Sequence, residues 1–181
     1  MKKIALLAAA IALSAIPARA SLPVGAKAPM FATQAALGGK AFGFNLRTAL
    51  AKGPVVLYFY PKAFTKGCTL EAHEFAEATP EFAKLGATVI GMSNDDLATL
   101  KRFSKEECRD KFAVASATPK IVKAYDADLV RDGKSTGMTE RTSYVIDRDG
   151  RIAFVHSDLD YKDHVRLTLE AVKKLQAGHK H

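Results

Sequence analysis

The chain has 181 residues, of which 48% are hydrophobic and 25% are charged, and its formal net charge at pH 7 is +8. This balance excludes an intrinsically disordered protein, and the length fits one domain built around one hydrophobic core. Basic residues are scattered and alternate with acidic ones, as in the segment from Lys105 to Lys111. The sequence therefore predicts no nucleic-acid-binding surface.

The first twenty residues are predicted to form a secretory signal peptide. Lys2 and Lys3 precede an uncharged stretch from Ile4 to Ile16, and Ala18-Arg19-Ala20 resembles a cleavage site. Cleavage removes two lysines and one arginine, so the mature domain, residues 21–181, has a net charge of +5. We expect a periplasmic or secreted protein with no membrane insertion after cleavage, and an uncleaved anchor is the alternative.

Apolar runs along the mature chain predict β-strands. The run from Val55 to Tyr60 has no polar alternation, which is typical of a central strand buried on both faces. Asp149-Gly150 indicates a tight hairpin between the last two runs, and a small N-terminal hairpin is expected around Gly38-Gly39. The later runs span residues 87–92, 112–115, 142–146 and 152–155.

Amphipathic patterns predict three helices. The first begins near Cys68, and Pro80 is expected to kink or restart it, with Thr79 as a new cap. The second begins after Asp96 and runs toward Cys108. The order of the elements predicts an α/β fold, a mixed β-sheet with helices on both faces. The third helix has its apolar stripe at Tyr161, Val165, Leu169 and Val172.

Cys68 and Cys108 are the only two cysteines in the sequence. In an exported domain such a pair is compatible with a structural disulfide. Cys68, however, follows the central strand and stands at the start of a helix, at the sheet edge where α/β folds bind ligands. The positive end of the helix dipole favours the thiolate over the thiol. Cys68 is therefore a candidate nucleophile.

The loop before Cys68 contains a specific pattern. Pro61-x-x-x-Thr65-x-x-Cys68 resembles the active-site signature of the peroxiredoxins. The longer run from Val55 to Ala72 resembles the peroxiredoxin Q group, also called bacterioferritin comigratory proteins, and the segment from Arg141 to Asp147 is similar too. The resemblance covers most of the mature chain and implies a thioredoxin-like fold.

The resemblance also implies a role for four residues. Cys68 would attack the peroxide, Thr65 would hydrogen-bond at the sulfur, Pro61 would shield the sulfur from water, and Arg141 would activate it. A hydroxyl and a guanidinium of fixed geometry can stabilise both the thiolate and the oxygen that leaves. From the residues alone, Pro61 could equally end the strand, while the alternatives for Thr65 and Arg141 are a local turn bond and a solvated charge at a strand end.

Cys108 is implied by the resemblance to be the resolving cysteine. Many members of the group have a second cysteine five residues after the first, but here His73 occupies that position. Other members place it on the following helix, where Cys108 lies. A helical count puts Cys108 about 20° from Leu97 on the apolar stripe, so a buried core thiol remains an alternative.

The sequence thus predicts an enzyme that reduces hydrogen peroxide and organic hydroperoxides. Cys68 would form a sulfenic acid and then an intramolecular disulfide with Cys108, which a thioredoxin-like reductant would reduce. The resemblance implies a monomer, and no residue pattern requires a cofactor or metal. A thiol–disulfide oxidoreductase is disfavoured because Glu71 stands three residues after Cys68. The non-enzymatic alternative is an exported binding or metal-carrying domain with a structural disulfide.

Overall fold

A computed structural model describes residues 21–178, and the predicted signal peptide lies outside the described residues. Strands and helices alternate through most of this part of the chain. Their bounds are β1 (Ala32–Leu37), β2 (Lys40–Asn45), α1 (Leu46–Leu50), β3 (Val55–Phe59), α2 (Lys66–Lys84), β4 (Thr88–Ser93), α3 (Leu97–Glu106), β5 (Ala113–Ser116), α4 (Pro119–Ala124), β6 (Asp128–Arg131), β7 (Lys134–Thr139), β8 (Thr142–Ile146), β9 (Ile152–Ser157) and α5 (His164–Gly178).

Seven strands form one mixed sheet in the order β2-β1-β5-β4-β3-β8-β9. β3 pairs in parallel with β4 and antiparallel with β8. All five residues of β3 are buried, as expected for an apolar run at the centre of a sheet. β6 and β7 form a separate two-stranded hairpin. The predicted α/β fold with a mixed sheet is confirmed.

The side chains of β3 divide the core into two layers. Val56 and Tyr58 pack in a cluster that includes apolar residues of α2, α3 and α5. Leu57 and Phe59 pack on the opposite face, with apolar residues of α1 and α4. Because successive side chains of a strand point to opposite faces, one continuous apolar strand supplies both layers. No helix within residues 21–178 is long and apolar enough to cross a membrane.

Pro80 does not restart the helix that contains it, so the expected restart with Thr79 as a new cap was wrong. α2 is continuous from Lys66 to Lys84, although Pro80 cannot donate a backbone hydrogen bond. Thr79 Oγ1 donates to the carbonyl oxygen of Phe75 at 2.7 Å instead of capping a new helix. Phe75 and Phe82 are fully buried on either side of the proline. Burial of this apolar stripe outweighs the lost hydrogen bond.

The elements missed by the sequence analysis are short or exposed. α1 and α4 have five and six residues, too few for a periodic pattern to emerge. The hairpin of β6 and β7 has mostly exposed or half-buried residues, so it lacks an apolar run. The expected N-terminal hairpin is present as β1 and β2, with Gly38 and Gly39 both at positive φ between them.

The backbone before β3 leaves no room for a side chain at Gly53. A Cβ built there would lie 2.0 Å from the carbonyl oxygen of Gly86. We expect Gly53→Ala to lower the free energy of unfolding in urea by about 3 kcal/mol, because one of two backbone segments must move. Gly43→Ala is the control, since a Cβ there meets no atom within 4 Å. Equal stability of the two variants would disprove this close approach.

Candidate active site

Cys68 lies in the first turn of α2, directly beyond the end of β3. Thr65 is the N-cap residue of this helix. The Cys68 side chain is 1% exposed, and Arg141 Nη2 approaches its Sγ at 3.5 Å. A helix N-terminus and a guanidinium both stabilise negative charge on sulfur. The structure therefore places the candidate nucleophile where the sequence predicted it, in a water-excluded and positively charged environment.

The loop between β3 and α2 carries the two other residues of the signature. Pro61 is half-buried at the start of this loop. Thr65 Oγ1 donates to the carbonyl oxygen of Lys62 at 2.9 Å, so its proton is engaged within the loop. The hydroxyl must rotate before it can donate to a bound peroxide, while its oxygen can accept a hydrogen bond without this rotation.

Asp95, which follows β4, holds this loop in place. Its Oδ2 accepts from the backbone N–H of Ala63 and from the hydroxyl of Ser93, both at 2.8 Å. Phe64, which follows Ala63 in the loop, has a φ of 62°, an unusual value for a bulky side chain. Its ring packs edge-on against Phe103. No local sequence pattern identifies Asp95 as a site residue, because its partner Ala63 is 32 positions away in the chain.

Arg141 reaches Cys68 because of the sheet topology. The residue immediately precedes β8, and β8 pairs antiparallel with β3 so that Thr142 lies opposite Phe59. Three nitrogens of the guanidinium each have a different partner. Nε donates to the carbonyl oxygen of Leu159 at 2.9 Å, Nη1 pairs with Glu71 Oε2, and Nη2 contacts Cys68 Sγ. This arrangement fixes the orientation of the planar group.

Glu71 is a site residue that the sequence analysis missed. It lies one turn after Cys68 on α2 and is fully buried. Burial raises the pKa of its carboxyl to about 8, against the opposing charge and hydrogen bond of Arg141. A proton on this carboxyl leaves more of the guanidinium charge for Cys68. The spacing Cys68-x-x-Glu71 could have revealed it, because residues i and i+3 share a helix face.

The sequence predicted that Cys108 lies on the second helix. In the structure it lies instead in the turn after α3. α3 ends at Glu106, and the following turn inserts Cys108 into the cluster that also contains Cys68. Both cysteines are free thiols. Burial, with a smaller contribution from the charge of Glu107, raises the pKa of the Cys108 thiol well above its usual value. In this state Cys108 is a protonated core thiol.

The turn around Cys108 combines backbone strain with two polar side-chain contacts to α2. Arg109 and Asp110 both have positive φ, 52° and 58°, at a cost of about 1 kcal/mol each for residues with a Cβ. Glu107 Oε2 lies 2.7 Å from His73 Nε2, and Arg109 Nη1 lies 3.2 Å from Glu77 Oε1. His73, which stands where many members of the resembled group have a cysteine, thus contacts the residue next to Cys108.

This arrangement is suited to nucleophilic attack on a polar bond. The sulfur can act as an anion because Arg141 and the start of α2 stabilise its charge. The same guanidinium is close enough to stabilise charge that develops on a leaving oxygen. No group of three His, Cys, Asp or Glu side chains within residues 21–178 is placed to hold a metal ion.

Comparison with known proteins gives consistent results. The model of the AhpC/TSA family matches residues 24–155. Peroxiredoxin Bcp of Bacillus subtilis (strain 168) is 32% identical over 123 residues, which is 67% of this chain and 78% of the relative. Chloroplastic peroxiredoxin Q of Oryza sativa subsp. japonica is 31% identical over 170 residues, which is 88% of this chain and 77% of the relative.

A solved structure supports the same assignment. The bacterioferritin comigratory protein of Xanthomonas campestris superposes with a TM-score of 0.70 at 28% identity, covering 79% of this chain and 91% of that chain. The resemblance seen in the sequence is thereby confirmed, and a non-catalytic domain with a structural disulfide is not favoured. The chain belongs to the AhpC/TSA family and is a thiol-dependent peroxidase, a peroxiredoxin of the Bcp and peroxiredoxin Q group.

Proposed function

We propose that this peroxidase reduces hydrogen peroxide and organic hydroperoxides by a two-cysteine cycle within one chain. The contact of Arg141 Nη2 with Cys68 Sγ at the start of α2 is the observation that carries the proposal. The Cys68 thiolate attacks one peroxide oxygen and the O–O bond breaks. Sulfur retains that oxygen as a sulfenic acid, and the second oxygen takes a proton and leaves as water or an alcohol.

The other signature residues have supporting roles in this step. Arg141 stabilises the thiolate before attack and the departing oxygen during it. The hydroxyl of Thr65, after rotating away from Lys62, donates to the peroxide. Pro61 has no N–H and covers the sulfur from bulk water. The chemistry of each side chain and its position around the loop support these three roles.

Organic hydroperoxides fit the rim of the site. Phe64 is 37% exposed on the loop before α2, and Leu159, whose carbonyl oxygen contacts Arg141, is 45% exposed. These two exposed apolar side chains, on the two segments that carry Cys68 and hold Arg141, provide a surface for an alkyl group. The related Xanthomonas campestris protein has alkyl peroxide reduction activity. We extend that substrate class to this chain.

In the second half of the cycle Cys108 acts as the resolving cysteine. Its sulfur attacks the sulfenic sulfur of Cys68, a disulfide forms, and water leaves. The turn that carries Cys108 can move at low cost, because Arg109 and Asp110 are strained and the exposed Arg109–Glu77 ion pair adds only about 0 to 1 kcal/mol. A thioredoxin-like protein then supplies two electrons by thiol–disulfide exchange and restores both thiols.

The place of action follows from the first twenty residues. A signal peptide would export the chain to the periplasm or the outside, where disulfides persist unless a dedicated reductant removes them. The enzyme acts there as a monomer, as the group it resembles implies, and requires no cofactor. The thioredoxin-like partner must then also be exported or be supplied with electrons through the membrane.

Variants of the two central residues test the peroxide reaction. Cys68→Ser should abolish it, because a hydroxyl supplies no anion at neutral pH. Arg141→Lys should slow sulfenic acid formation about 100-fold while the fold persists, because an ammonium keeps the charge but loses the planar fork. Stopped-flow mixing of reduced protein with peroxide measures both. Arg166→Lys, at an exposed arginine on α5, is the matched control. A wild-type rate for Arg141→Lys would contradict the proposal.

Cys108→Ser tests the resolving step separately. The first oxidation of Cys68 should proceed at the wild-type rate, but the sulfenic acid should persist and turnover with a dithiol protein should stop. In the oxidised wild type, amides of residues 104–111 should exchange faster than in the reduced protein, because Cys108 must leave the core to reach Cys68. Mass spectrometry and hydrogen exchange provide the two readouts.

Three results would contradict the proposed resolving step or the movement that it requires. Two alkylatable thiols per chain after stoichiometric peroxide would exclude it. A disulfide found only between two chains would exclude the intramolecular form. Unchanged exchange of residues 104–111 on oxidation would exclude the proposed movement of the turn.

Export is tested by the N-terminus of the full chain expressed in a bacterium with a periplasm. We expect the protein in the periplasmic fraction with Ser21 as its first residue, because the small residues Ala18 and Ala20 suit signal peptidase. Ala20→Arg should block the cleavage and retain the chain at the membrane. An intact N-terminus in the wild type would favour the uncleaved anchor, and cytoplasmic protein would contradict export altogether.

A further inference from the structure

His164 is a buried histidine directly behind Glu71, and the peroxide chemistry described above does not use it. It is the first residue of α5 and is fully buried. Its Nε2 lies 2.9 Å from the carbonyl oxygen of Asp158, and its Nδ1 lies 2.8 Å from Ser143 Oγ. Because a carbonyl oxygen only accepts, Nε2 carries the ring proton, and Nδ1 accepts from the hydroxyl of Ser143.

The imidazole is therefore neutral with a defined tautomer. Burial lowers the pKa of His164 to about 4, while the hydrogen bond to Asp158 opposes this shift. The titratable and charged groups that face the ring are Glu71, Arg141, His156 and Asp158, and the ring of His156 lies 4.6 Å away between centroids. A single neutral form thus dominates at neutral pH.

One edge of the imidazole holds the backbone segment whose carbonyl oxygen binds Arg141. His164 Nε2–H holds the carbonyl of Asp158, and the next residue, Leu159, supplies the carbonyl oxygen that accepts from Arg141 Nε at 2.9 Å. The backbone N–H of Asp158 also donates to the carbonyl oxygen of Arg141 at 3.2 Å. If this segment moved, the guanidinium would lose the partner that fixes one of its three sides.

The other edge of the imidazole faces Glu71, the carboxyl group that also binds Arg141. His164 Nδ1 lies 3.8 Å from Glu71 Oε1, a buried oxygen with no hydrogen-bond partner. Glu71 Oε2 already accepts from Arg141, so a proton on this carboxyl belongs on Oε1. Because Nδ1 accepts from Ser143 and carries no proton, the neutral ring offers Oε1 neither a hydrogen bond nor a positive charge that would stabilise a carboxylate there. The neutral imidazole thereby leaves unopposed the effect of burial on Glu71, which limits the competition of Glu71 with Cys68 for the charge of Arg141.

We propose that His164 is a positioning residue for the peroxide reaction. It holds the Asp158–Leu159 segment with Nε2 and limits the charge on Glu71 with Nδ1, and together these two effects direct Arg141 Nη2 to Cys68. The inference rests on the proposed roles of Cys68 and Arg141 and adds a residue that touches neither of them. It acts through the two groups that surround the guanidinium.

The test measures the rate constant of Cys68 oxidation in reduced protein by stopped flow. His164→Leu removes both edges of the ring and should lower the rate about tenfold, because the guanidinium gains rotational freedom. His164→Gln keeps an amide N–H that can reach the Asp158 carbonyl and should recover a rate between His164→Leu and the wild type. Thr168→Val is the matched control, since this buried hydroxyl bonds only carbonyls of α5.

A second measurement separates positioning from a general loss of stability. In the background of Arg141→Lys, His164→Leu should change the rate less than twofold, because the guanidinium through which His164 acts is absent. The same tenfold loss in both backgrounds would overturn the proposal. An equal loss in Thr168→Val would overturn it as well, because it would show that packing of α5 is sufficient to explain the effect.

The failure of this inference can be distinguished from failure of the proposed function. A slow Arg141→Lys together with a normal His164→Leu overturns the role of His164 alone. A normal Arg141→Lys overturns the role of Arg141 in the peroxide reaction. If His164→Leu does not fold, Ser143→Ala removes only the hydroxyl bonded to Nδ1 and should slow oxidation about threefold, and an unchanged rate there overturns the proposal.

Discussion

The positive charge of Arg141 is shared between two groups that can both become anions, and the active site depends on that sharing. Cys68 needs the charge for its thiolate, while Glu71 is buried on the other side of the same guanidinium. In an interior with little water, one cation cannot fully satisfy two anions. The raised pKa of the Glu71 carboxyl resolves this conflict in favour of the sulfur.

The mixed sheet is what makes this arrangement possible. A parallel partner for β3 places the start of α2, with Cys68, at the carboxyl end of the central strand. An antiparallel partner, β8, begins at that same end, so the residue just before it is Arg141. A purely parallel sheet would bring the carboxyl end of another strand to this edge. The nucleophile and its cation thus come from neighbouring strands that run in opposite directions.

The two cysteines occupy the same cluster but have opposite electrostatic environments. Cys68 is surrounded by a helix start and a guanidinium, whereas Cys108 is surrounded by apolar side chains and has Glu107 beside it. The first environment favours an anion and the second a neutral thiol. A resolving mechanism needs one cysteine that is a nucleophile and a second cysteine that stays protonated until it is exposed. In the proposed cycle, strain at Arg109 would lower the cost of exposing Cys108.

The sequence by itself determined the strands of the seven-stranded sheet, the three longer helices and the position of Cys68, because apolar periodicity and helix starts are local features of the chain. It also pointed to Arg141, through a segment similar to that of a known family. Only the tertiary structure decided that Glu71 and His164 lie behind this arginine, since Glu71 is 70 residues from Arg141 and 93 residues from His164 in the chain. The continuity of α2 through Pro80 was decided by packing between elements, and packing energy is not encoded in any single local pattern.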